Sequence, residues 1–282
     1  MKRIDVQILL YDSLEAINAL MKSLVLLDSS EYKLVIHFVK HDDLPKDSYL
    51  DLLEVYKKDI KFSFDENTNI GFGNGHNWLF EKYKDKYEEL IWILNPDTIV
   101  FHNALINLED YISKIPNNWG ILEFKQIPEE NPKDYDPETL ITNRCASTSM
   151  IVKKEAFEKV GGYDSNFFMY VEDMDLSWRI RIEGYKLYLL PRCKVVHEIG
   201  SSSRKEDEEI FENEFMITHI LAGEYYLLQK FNMDSKEKLE EIQNHKWKDK
   251  IMEVYRKIVR QGINRIDVPE FIKENNYSKA RW

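Results

Sequence analysis

The stretch LIWILNPDTIV, residues 90–100, decides the fold class of this chain. It begins with five apolar residues, which are typical of a buried strand, and Asn95, Pro96 and Asp97 follow directly. In open α/β sheets ligands bind beyond the carboxyl ends of the strands, so we expect Asp97 to face such a crevice. A turn in which Asn-Pro-Asp only caps the next helix is the structural alternative, and the tripeptide by itself favours that alternative.

On both sides of this stretch, apolar runs alternate with helical patterns. Strands are predicted at 5–11, 33–39, 60–64, 90–94, 120–124, 149–153, 186–190 and 194–196. Helices are predicted at 14–27, 49–57, 78–83, 104–115, 155–160 and 173–182. This alternation implies right-handed crossovers and a mainly parallel sheet with helices on both faces, which is an α/β fold. A polar, proline-rich loop at 128–137 interrupts the series and is a candidate for a mobile lid.

Beyond residue 203 the pattern is helical, with helices predicted at 206–231 and 235–261. We therefore expect an α/β domain over residues 1–203 and a helical extension over residues 204–282. Residues 246–265 carry seven basic and two acidic side chains, and five apolar residues share one helical face: Ile251, Val254, Tyr255, Ile258 and Val259. Such a helix either lies on an anionic membrane surface or packs on the α/β domain or in a homo-oligomer.

Composition limits the class of partner. The chain has 282 residues, 43% of them hydrophobic, and a formal net charge of -11, which disfavours nucleic acid as a ligand. Its two cysteines, Cys145 and Cys193, are too few for a disulfide-stapled secreted scaffold. No apolar stretch approaches the ~20 residues of a membrane span. We expect a cytoplasmic protein, with peripheral contact to the membrane as the alternative.

Residues 64–80, FDENTNIGFGNGHNWLF, follow a predicted strand and precede a helix. Three glycines, Gly71, Gly73 and Gly75, allow close approach of the backbone, and a helix N-terminus offers amide groups to an anion. The stretch is consistent with a nucleotide-binding loop. A glycine-rich turn without a ligand explains it equally well.

The richest segment is GGYDSNFFMYVEDMDLSWRIRIEGYKLYLLPRCKVVHEIGSSS, residues 161–203. Its acidic cluster lies at a predicted helix start, where the helix dipole keeps carboxylates ionised and able to act as a base. Positions two apart on a helix do not face the same way, so Asp173 and Asp175 need different roles, and Asp175 is spaced for an ion pair with Arg179. His197 closes a predicted strand. A lone histidine is more often structural than a ligand.

These segments together resemble family 2 of the inverting glycosyltransferases, which have the GT-A fold, especially bacterial rhamnosyltransferases and galactofuranosyltransferases. The resemblance covers about the first 203 residues, and the segments occur in the order of the family: LLYDSLE, NIGFGNGHN, the strand that ends in NPD, GGYD, EDMDL and a strand that ends in histidine. Each motif is weak alone. The ordered set is specific.

The resemblance implies roles for eight residues. Asp97 matches the metal-binding residue of the family's DxD-like element, His197 matches a metal ligand of some members, and Asp173 matches the catalytic base. Five residues fall where relatives contact the nucleotide: Asp12, Asn69, Gly71, Asn74 and Asn95. The second strand departs from the family, because it continues as FVKHDDL where relatives have an Asp-Asn-Ser-like run. The alignment of Asp42 or Asp43, and with it the identity of the base, is therefore open.

The implied reaction moves a sugar from a nucleotide-diphosphate sugar, dTDP-rhamnose or a UDP-hexose, to a glycan or lipid-linked saccharide, with Mg²⁺ or Mn²⁺ as cofactor. This chemistry belongs to the synthesis of bacterial surface polysaccharides. Two alternatives remain. A sugar nucleotidyltransferase would open with a glycine-rich, basic loop, which YDSLEA lacks. A non-catalytic subunit that binds the nucleotide sugar or acts as a scaffold would keep the fold without the chemistry.

Overall fold

The described part of the chain is built around one sheet of nine strands. The computed structural model describes residues 2–28, 31–128, 133–197 and 213–274. The strands are β1 Lys2–Leu10, β2 Tyr32–Lys40, β3 Lys61–Glu66, β4 Leu90–Leu94, β5 Ile99–Val100, β6 Trp119–Pro128, β7 Ile141–Thr142, β8 Ser149–Lys153 and β9 Lys186–His197. The helices are α1 Leu14–Val25, α2 Lys46–Glu54, α3 Phe72–Tyr83, α4 Ala104–Ile112, α5 Lys154–Lys159, α6 Glu172–Ile182, α7 Glu214–Lys230, α8 Lys236–Asn244, α9 Lys248–Ile258 and α10 Glu270–Glu274.

The strand order is β3-β2-β1-β4-β8-β6-β9-β5, and β7 pairs with β9 off this path. The first four strands in this order are parallel to one another. Strand β8 runs antiparallel to both β4 and β6, and β9 is parallel to β6. It follows that β9 points the same way as β1 to β4, and that the carboxyl ends of these five strands meet at one edge of the sheet.

Most of the predicted elements are present, with shifted ends. The two strands predicted at 186–190 and 194–196 are one strand, β9, whose pairing with β6 is irregular after Leu190. Strands β5 and β7 were not predicted, because two residues are too few to show an alternating pattern. Helix α3 begins at Phe72 rather than near Trp78, so it includes two of the glycines that the sequence placed in a loop.

Two apolar layers sandwich the sheet. On one face, Ile17 and Leu20 of α1 and Leu105 of α4 pack against strand residues such as Trp92 and Phe124. On the other face, Phe80 of α3, Phe157 of α5 and Ile180 of α6 pack against Ile93 and Ile121, among others. Helices on both faces of a mainly parallel sheet confirm the predicted α/β class.

The C-terminal helices share a core with the α/β part of the chain. Buried residues from α7 to α9 contact Phe167 and, on α6, Met174 and Trp178. The helix predicted at 235–261 is in fact two, because the chain turns at His245, whose Nδ1 accepts a hydrogen bond of 3.1 Å from the Trp247 amide. This turn lets both α8 and α9 pack on α7. The boundary predicted near Ser203 lies outside the described residues.

The basic helix of the sequence analysis corresponds mainly to α9. Its apolar face packs into the same core: Ile251 and Ile258 are buried there, and Tyr255 stacks near Tyr225 of α7 with a centroid separation of 4.8 Å. The structure therefore favours the packed-helix alternative for this face over the membrane alternative. Among the helices of the described ranges, none has both the length and the apolarity to cross a bilayer.

Candidate active site

All eight residues singled out by the sequence lie along the edge where β1 to β4 and β9 end. Asp12 follows β1, Asn69 and Gly71 follow β3, Asn95 and Asp97 follow β4, and His197 ends β9; Asn74 and Asp173 lie in the first turns of α3 and α6. Helix α6 leads back into β9 at the opposite edge, so its N-terminus lies on the same side as His197. The topology thus gathers residues that are widely separated in the chain.

The structure places the side chains of Asp97 and His197, which are 100 residues apart in the chain, next to each other. Their Oδ1 and Nε2 atoms lie 3.5 Å apart, and their side chains are 12% and 10% exposed. Strand β5 places them side by side. It pairs antiparallel with β9, with Ile99 opposite Val196, so the residues just before Ile99 lie beside the residue just after Val196. Two ligands about 2.1 Å from one octahedral cation lie about 3 Å apart, so this pair fits a divalent ion.

No cluster of three or more His, Cys, Asp or Glu side chains suited to a metal occurs within the described ranges. Two protein ligands are sufficient for a cation that a diphosphate also binds, since phosphate oxygens and water complete its coordination. Asp97 and His197 would therefore hold Mg²⁺ or Mn²⁺ together with the ligand. They could not form a closed site of the structural zinc type on their own.

Asn95 begins the turn that presents Asp97. The Asn95 amide donates to the Thr148 carbonyl on the neighbouring chain segment, 2.9 Å away, and its carbonyl accepts from the Thr98 hydroxyl at 2.7 Å. Its side-chain Oδ1 is buried and has no hydrogen-bond partner within the described ranges. A buried amide oxygen without a partner is costly, which suits a residue that contacts a ligand.

In the run FVKHDDL, Asp42 joins the ends of two neighbouring strands. Its Oδ2 accepts hydrogen bonds from the Asp12 amide at 2.9 Å and from the Tyr49 hydroxyl at 2.6 Å, and its Oδ1 accepts from the Leu44 amide at 3.1 Å. Asp12 is exposed and has a φ of 49°. The ends of β1 and β2 are therefore joined by Asp42, which sequence reasoning missed because the motif around it departs from the family pattern.

The glycine stretch differs from the predicted loop. Gly71 is the N-cap of α3 with a φ of 91°, and a side chain there would meet the Phe168 carbonyl oxygen at 2.1 Å. The Gly71 amide donates to Asn69 Oδ1 at 3.0 Å, and the Phe72 amide donates to the Phe168 carbonyl at 2.8 Å. Two of the amide groups predicted to meet an anion therefore already have partners.

The glycine after Phe72 has a packing role. A methyl group on Gly73 would lie 2.8 Å from the Cβ of Tyr163. Asn74 adds to this contact, because its Nδ2 is within hydrogen-bond distance, 3.1 to 3.2 Å, of three carbonyl oxygens, those of Ile70, Ser165 and Phe167. The start of α3 is thus attached to the loop that leads to Asp173.

Asp173 lies in the first turn of α6 and is partly exposed. The two residues that precede this helix, Tyr170 and Val171, have φ values of 67° and 70°. A left-handed conformation is unusual for a β-branched residue, and such strain clusters at functional sites. Asp173 Oδ1 accepts a hydrogen bond of 2.8 Å from the Met174 amide, which leaves Oδ2 to meet a ligand.

Asp175 has the different role that helix geometry predicted. It is fully buried and pairs with Arg179 at 2.6 Å, as the sequence spacing indicates, and also with Lys230 of α7. The Lys230 ammonium is shared with Asp164, 2.7 Å away, which also accepts from the Tyr226 hydroxyl at 2.8 Å. This buried charge cluster joins α6 to the C-terminal extension. Sequence reasoning found only its intrahelical half.

A group of aromatic rings, which we call the aromatic rim, lies beside the start of α6. It consists of Phe168, Tyr170, Phe215 and His219, whose neighbouring ring centroids lie 4.0 to 6.4 Å apart. Phe168 and Phe215 are 37% and 43% exposed. Burial lowers the pKa of His219 below its usual value, so this ring is neutral at pH 7. The rim is an apolar surface between Gly71 and Asp173.

The C-terminal end of the polar loop that was predicted as a lid is bonded to strands β6 and β7 of the sheet. Lys133 forms a buried ion pair with Glu123 of β6, and the Asp134 carbonyl accepts from the Thr142 hydroxyl at 2.8 Å. Tyr135 bridges to Thr142 as well. Residues 133–137 are therefore part of the sheet margin. The preceding residues of this loop, 129–132, lie outside the described ranges.

The chain is similar in sequence to known rhamnosyltransferases, although no family model matches it. The rhamnosyltransferase WbbL of Escherichia coli (strain K12) is 23% identical over 239 residues, which are 73% of this chain and 88% of that protein. The N-acetylglucosaminyl-diphospho-decaprenol L-rhamnosyltransferase of Mycobacterium tuberculosis (strain ATCC 25618 / H37Rv) is 33% identical over 61 residues, 22% of this chain and 20% of that protein.

Solved structures with the same fold include two that contain nucleotide sugars. TarS of S. aureus in complex with UDP-GlcNAc has a TM-score of 0.59 at 15% identity, and the match covers 100% of this chain and 85% of that chain. The mannosyltransferase PcManGT of Pyrobaculum calidifontis, in complex with GDP-Man and Mn²⁺, has a TM-score of 0.56 at 13% identity, over 90% of this chain and 69% of that chain. At these identities the likeness shows the fold.

Proposed function

We propose that this chain, a family 2 glycosyltransferase with the GT-A fold, transfers a sugar from a nucleotide-diphosphate sugar to a saccharide acceptor and inverts the anomeric configuration. The observation that carries the proposal is the meeting of Asp97 and His197, whose Oδ1 and Nε2 atoms lie 3.5 Å apart, at the edge of the sheet where Asp173 also lies. A pair that could hold the diphosphate with a cation and a separate carboxylate that could act as base are the two requirements of the reaction.

The reaction is a single displacement. Asp173 accepts the proton of an acceptor hydroxyl while the oxygen of that hydroxyl forms a bond to the anomeric carbon. The bond from this carbon to the diphosphate oxygen breaks, and the nucleoside diphosphate leaves with the electron pair. A divalent cation at Asp97 and His197 would supply positive charge to the diphosphate. Attack opposite to the leaving group inverts the configuration at the anomeric carbon.

Two features support particular substrates. The donor side is formed by Asp12, Asn69 and Asn95, which follow β1, β3 and β4, in line with the nucleotide sugars named for the solved structures. The aromatic rim supports a saccharide acceptor, because the apolar C–H face of a sugar packs on the electron-rich face of an aromatic ring. The relatives are named as rhamnosyltransferases, so dTDP-rhamnose is the first donor to test, with UDP-hexoses as the alternative.

Purified protein should be screened with dTDP-rhamnose, UDP-glucose, UDP-galactose, UDP-GlcNAc and GDP-mannose, each with and without Mn²⁺. Acceptors are octyl glycosides of N-acetylglucosamine, glucose and galactose. We expect one donor to yield free nucleoside diphosphate together with a new glycoside of inverted configuration, as measured by chromatography and by NMR of the anomeric proton. Release of nucleoside triphosphate on addition of pyrophosphate would instead indicate a nucleotidyltransferase. A protein that binds a donor but never turns it over would indicate the non-catalytic alternative.

A further inference from the structure

Gln126 on β6 is a buried primary amide that has no hydrogen-bond partner among the described residues. The residue is 1% exposed, and neither its Oε1 nor its Nε2 forms a hydrogen bond within the part of the chain that the structure describes. Exchange of the two atoms by rotation of the amide cannot repair this, because both are unsatisfied. Native proteins satisfy nearly all buried polar groups, so an amide with all of its hydrogen-bonding capacity unused calls for a ligand.

The register of the sheet shows where this amide lies. Gln126 pairs with Val195 in the parallel ladder of β6 and β9, and His197 is two residues further along β9. Side chains two residues apart on a strand share a face, so Gln126, Val195 and His197 lie on the same face. Diagonal neighbours of this kind are within reach of long side chains. Val195 also pairs with Val100 of β5, the strand that follows Asp97.

A second buried glutamine shows that this is not a general feature of the core. Gln7 on β1 is 0% exposed, but its Nε2 donates to the Tyr87 hydroxyl at 3.1 Å and its Oε1 lies 2.9 Å from His76 Nδ1. The core therefore satisfies a glutamine where it serves a structural purpose. Gln126 differs, because its neighbour in the ladder is Val195 and the polar residue diagonal to it on the same face is His197.

We propose that Gln126 binds the diphosphate of the donor together with its divalent cation. The amide Nε2 donates to a diphosphate oxygen, and Oε1 accepts from water in the hydration shell of the cation. This inference rests on the proposed function, because it assigns a further binding residue to the same site. An amide places a donor group, its NH₂, beside an acceptor, its carbonyl oxygen, which matches an anion and a hydrated cation side by side.

The test compares Gln126→Leu with Gln7→Leu. Leucine replaces the amide with an apolar group of similar size, so Gln126→Leu should raise the Tm of the ligand-free protein by about 2–4 °C, since an unsatisfied buried amide is lost. Gln7→Leu should lower it, because Tyr87 and His76 lose their partner. A Gln126→Leu protein with a lower Tm than wild type would show that the amide has a structural partner, and the proposal would be wrong.

The second measurement is nucleotide affinity by titration calorimetry with Mn²⁺. Probes are UDP, dTDP and GDP with the matching monophosphates, which lack the second phosphate. We expect Gln126→Leu to weaken binding of the preferred diphosphate about tenfold or more and to leave the monophosphate unchanged. Equal diphosphate affinity in variant and wild type overturns the assignment of Gln126 alone. A wild type that binds none of the probes overturns the proposed function as well.

Discussion

At the scale of single residues, Asp173 and Asp175 have the same side chain but different surroundings. Asp173 is partly exposed and accepts a hydrogen bond from the next amide, whereas Asp175 is fully buried between Arg179 and Lys230. Asparagine keeps the oxygen that accepts from the Met174 amide but cannot act as a base. We predict that Asp173→Asn reduces transfer about 10²-fold or more while donor affinity and the free energy of unfolding stay close to those of wild type.

Asp175→Asn is the matched control for this prediction. It should destabilise the fold by about 3 kcal/mol, because the buried cations of Arg179 and Lys230 lose a carboxylate. Steady-state kinetics and chemical denaturation of both variants give the comparison. If Asp173→Asn transfers sugar within a few-fold of wild type and remains folded, Asp173 is not the base, and Glu172 is the next residue to test.

The pair of Asp97 and His197 leads to a prediction about metal. We expect Asp97→Ala and His197→Ala each to weaken Mn²⁺ binding in the presence of nucleoside diphosphate by about tenfold or more, since each removes one of two protein ligands. Mn²⁺ binding can be followed by electron paramagnetic resonance of the free ion, without any turnover. Asp47→Ala, at an exposed aspartate of α2, serves as control. Wild-type Mn²⁺ affinity in Asp97→Ala would contradict the assignment.

At the scale of elements, the buried charge cluster decides how α7 docks on α6. Lys230 is 5% exposed and pairs with both Asp164 and Asp175, whose side chains are 10% and 0% exposed, so its removal leaves both carboxylates without this cation. We predict that Lys230→Met lowers the free energy of unfolding by about 3–5 kcal/mol. Lys250→Met is the control, because Lys250 and Glu214 form an exposed pair, and exposed pairs contribute about 0–1 kcal/mol.

The same cluster predicts a pH dependence. Burial raises the pKa of Asp164, but the Lys230 ammonium and the hydrogen bonds to this carboxylate outweigh burial, and the net pKa is lowered. A lowered pKa in the folded state means that the contribution to stability is present above the unfolded pKa of about 3.9 and is lost as the pH falls through the folded value. The difference in unfolding free energy between wild type and Lys230→Met should therefore shrink below about pH 4. The unfolding free energy of both proteins is measured by denaturation from pH 7 to pH 3. A difference between them that stays constant over this range would contradict this account.

The aromatic rim belongs to two elements, the loop before α6 and helix α7. Removal of one exposed ring should weaken acceptor binding without affecting the donor, since Phe215 is on α7 and its ring contacts Tyr170, whereas the proposed donor residues follow β1, β3 and β4. We predict that Phe215→Ala raises the acceptor KM about fivefold to tenfold, at unchanged donor affinity. Phe271→Ala is matched in exposure, 42% against 43% for Phe215, and should leave both unchanged. An unchanged acceptor KM in Phe215→Ala would remove the rim from the acceptor site.

At the scale of the whole molecule, the C-terminal helices are part of the architecture that holds the candidate base. Phe167, Met174 and Trp178 contribute to one apolar core with α7, α8 and α9. The strained residue Val171 lies in this core and is 1% exposed, so the extension holds the backbone conformation that presents Asp173. The division at residue 203 remains a prediction about sequence pattern, and the two parts share this core.

Local signals predicted most of the fold and much of the candidate site. The runs of apolar residues identified the seven longer strands. The ordered motifs pointed to residues that the topology gathers at the edge where the parallel strands end. The details that failed were those that depend on distant neighbours. The break between α8 and α9 at His245 has no local signal such as proline or glycine. Gly73 was predicted in a loop, but it is a helix residue that packs against Tyr163.

What the sequence determined by itself is the α/β class, the order of the motifs and the spacing of Asp175 and Arg179, because strand and helix periods are properties of short segments. Only the tertiary structure decided that Asp42 joins Asp12, that Lys230 pairs with both Asp164 and Asp175, and that Gln126 is buried without a hydrogen-bond partner among the described residues. Each of these depends on which strands and helices become neighbours. Burial and pairing are properties of contacts between segments far apart in the chain, and no short stretch of sequence contains them.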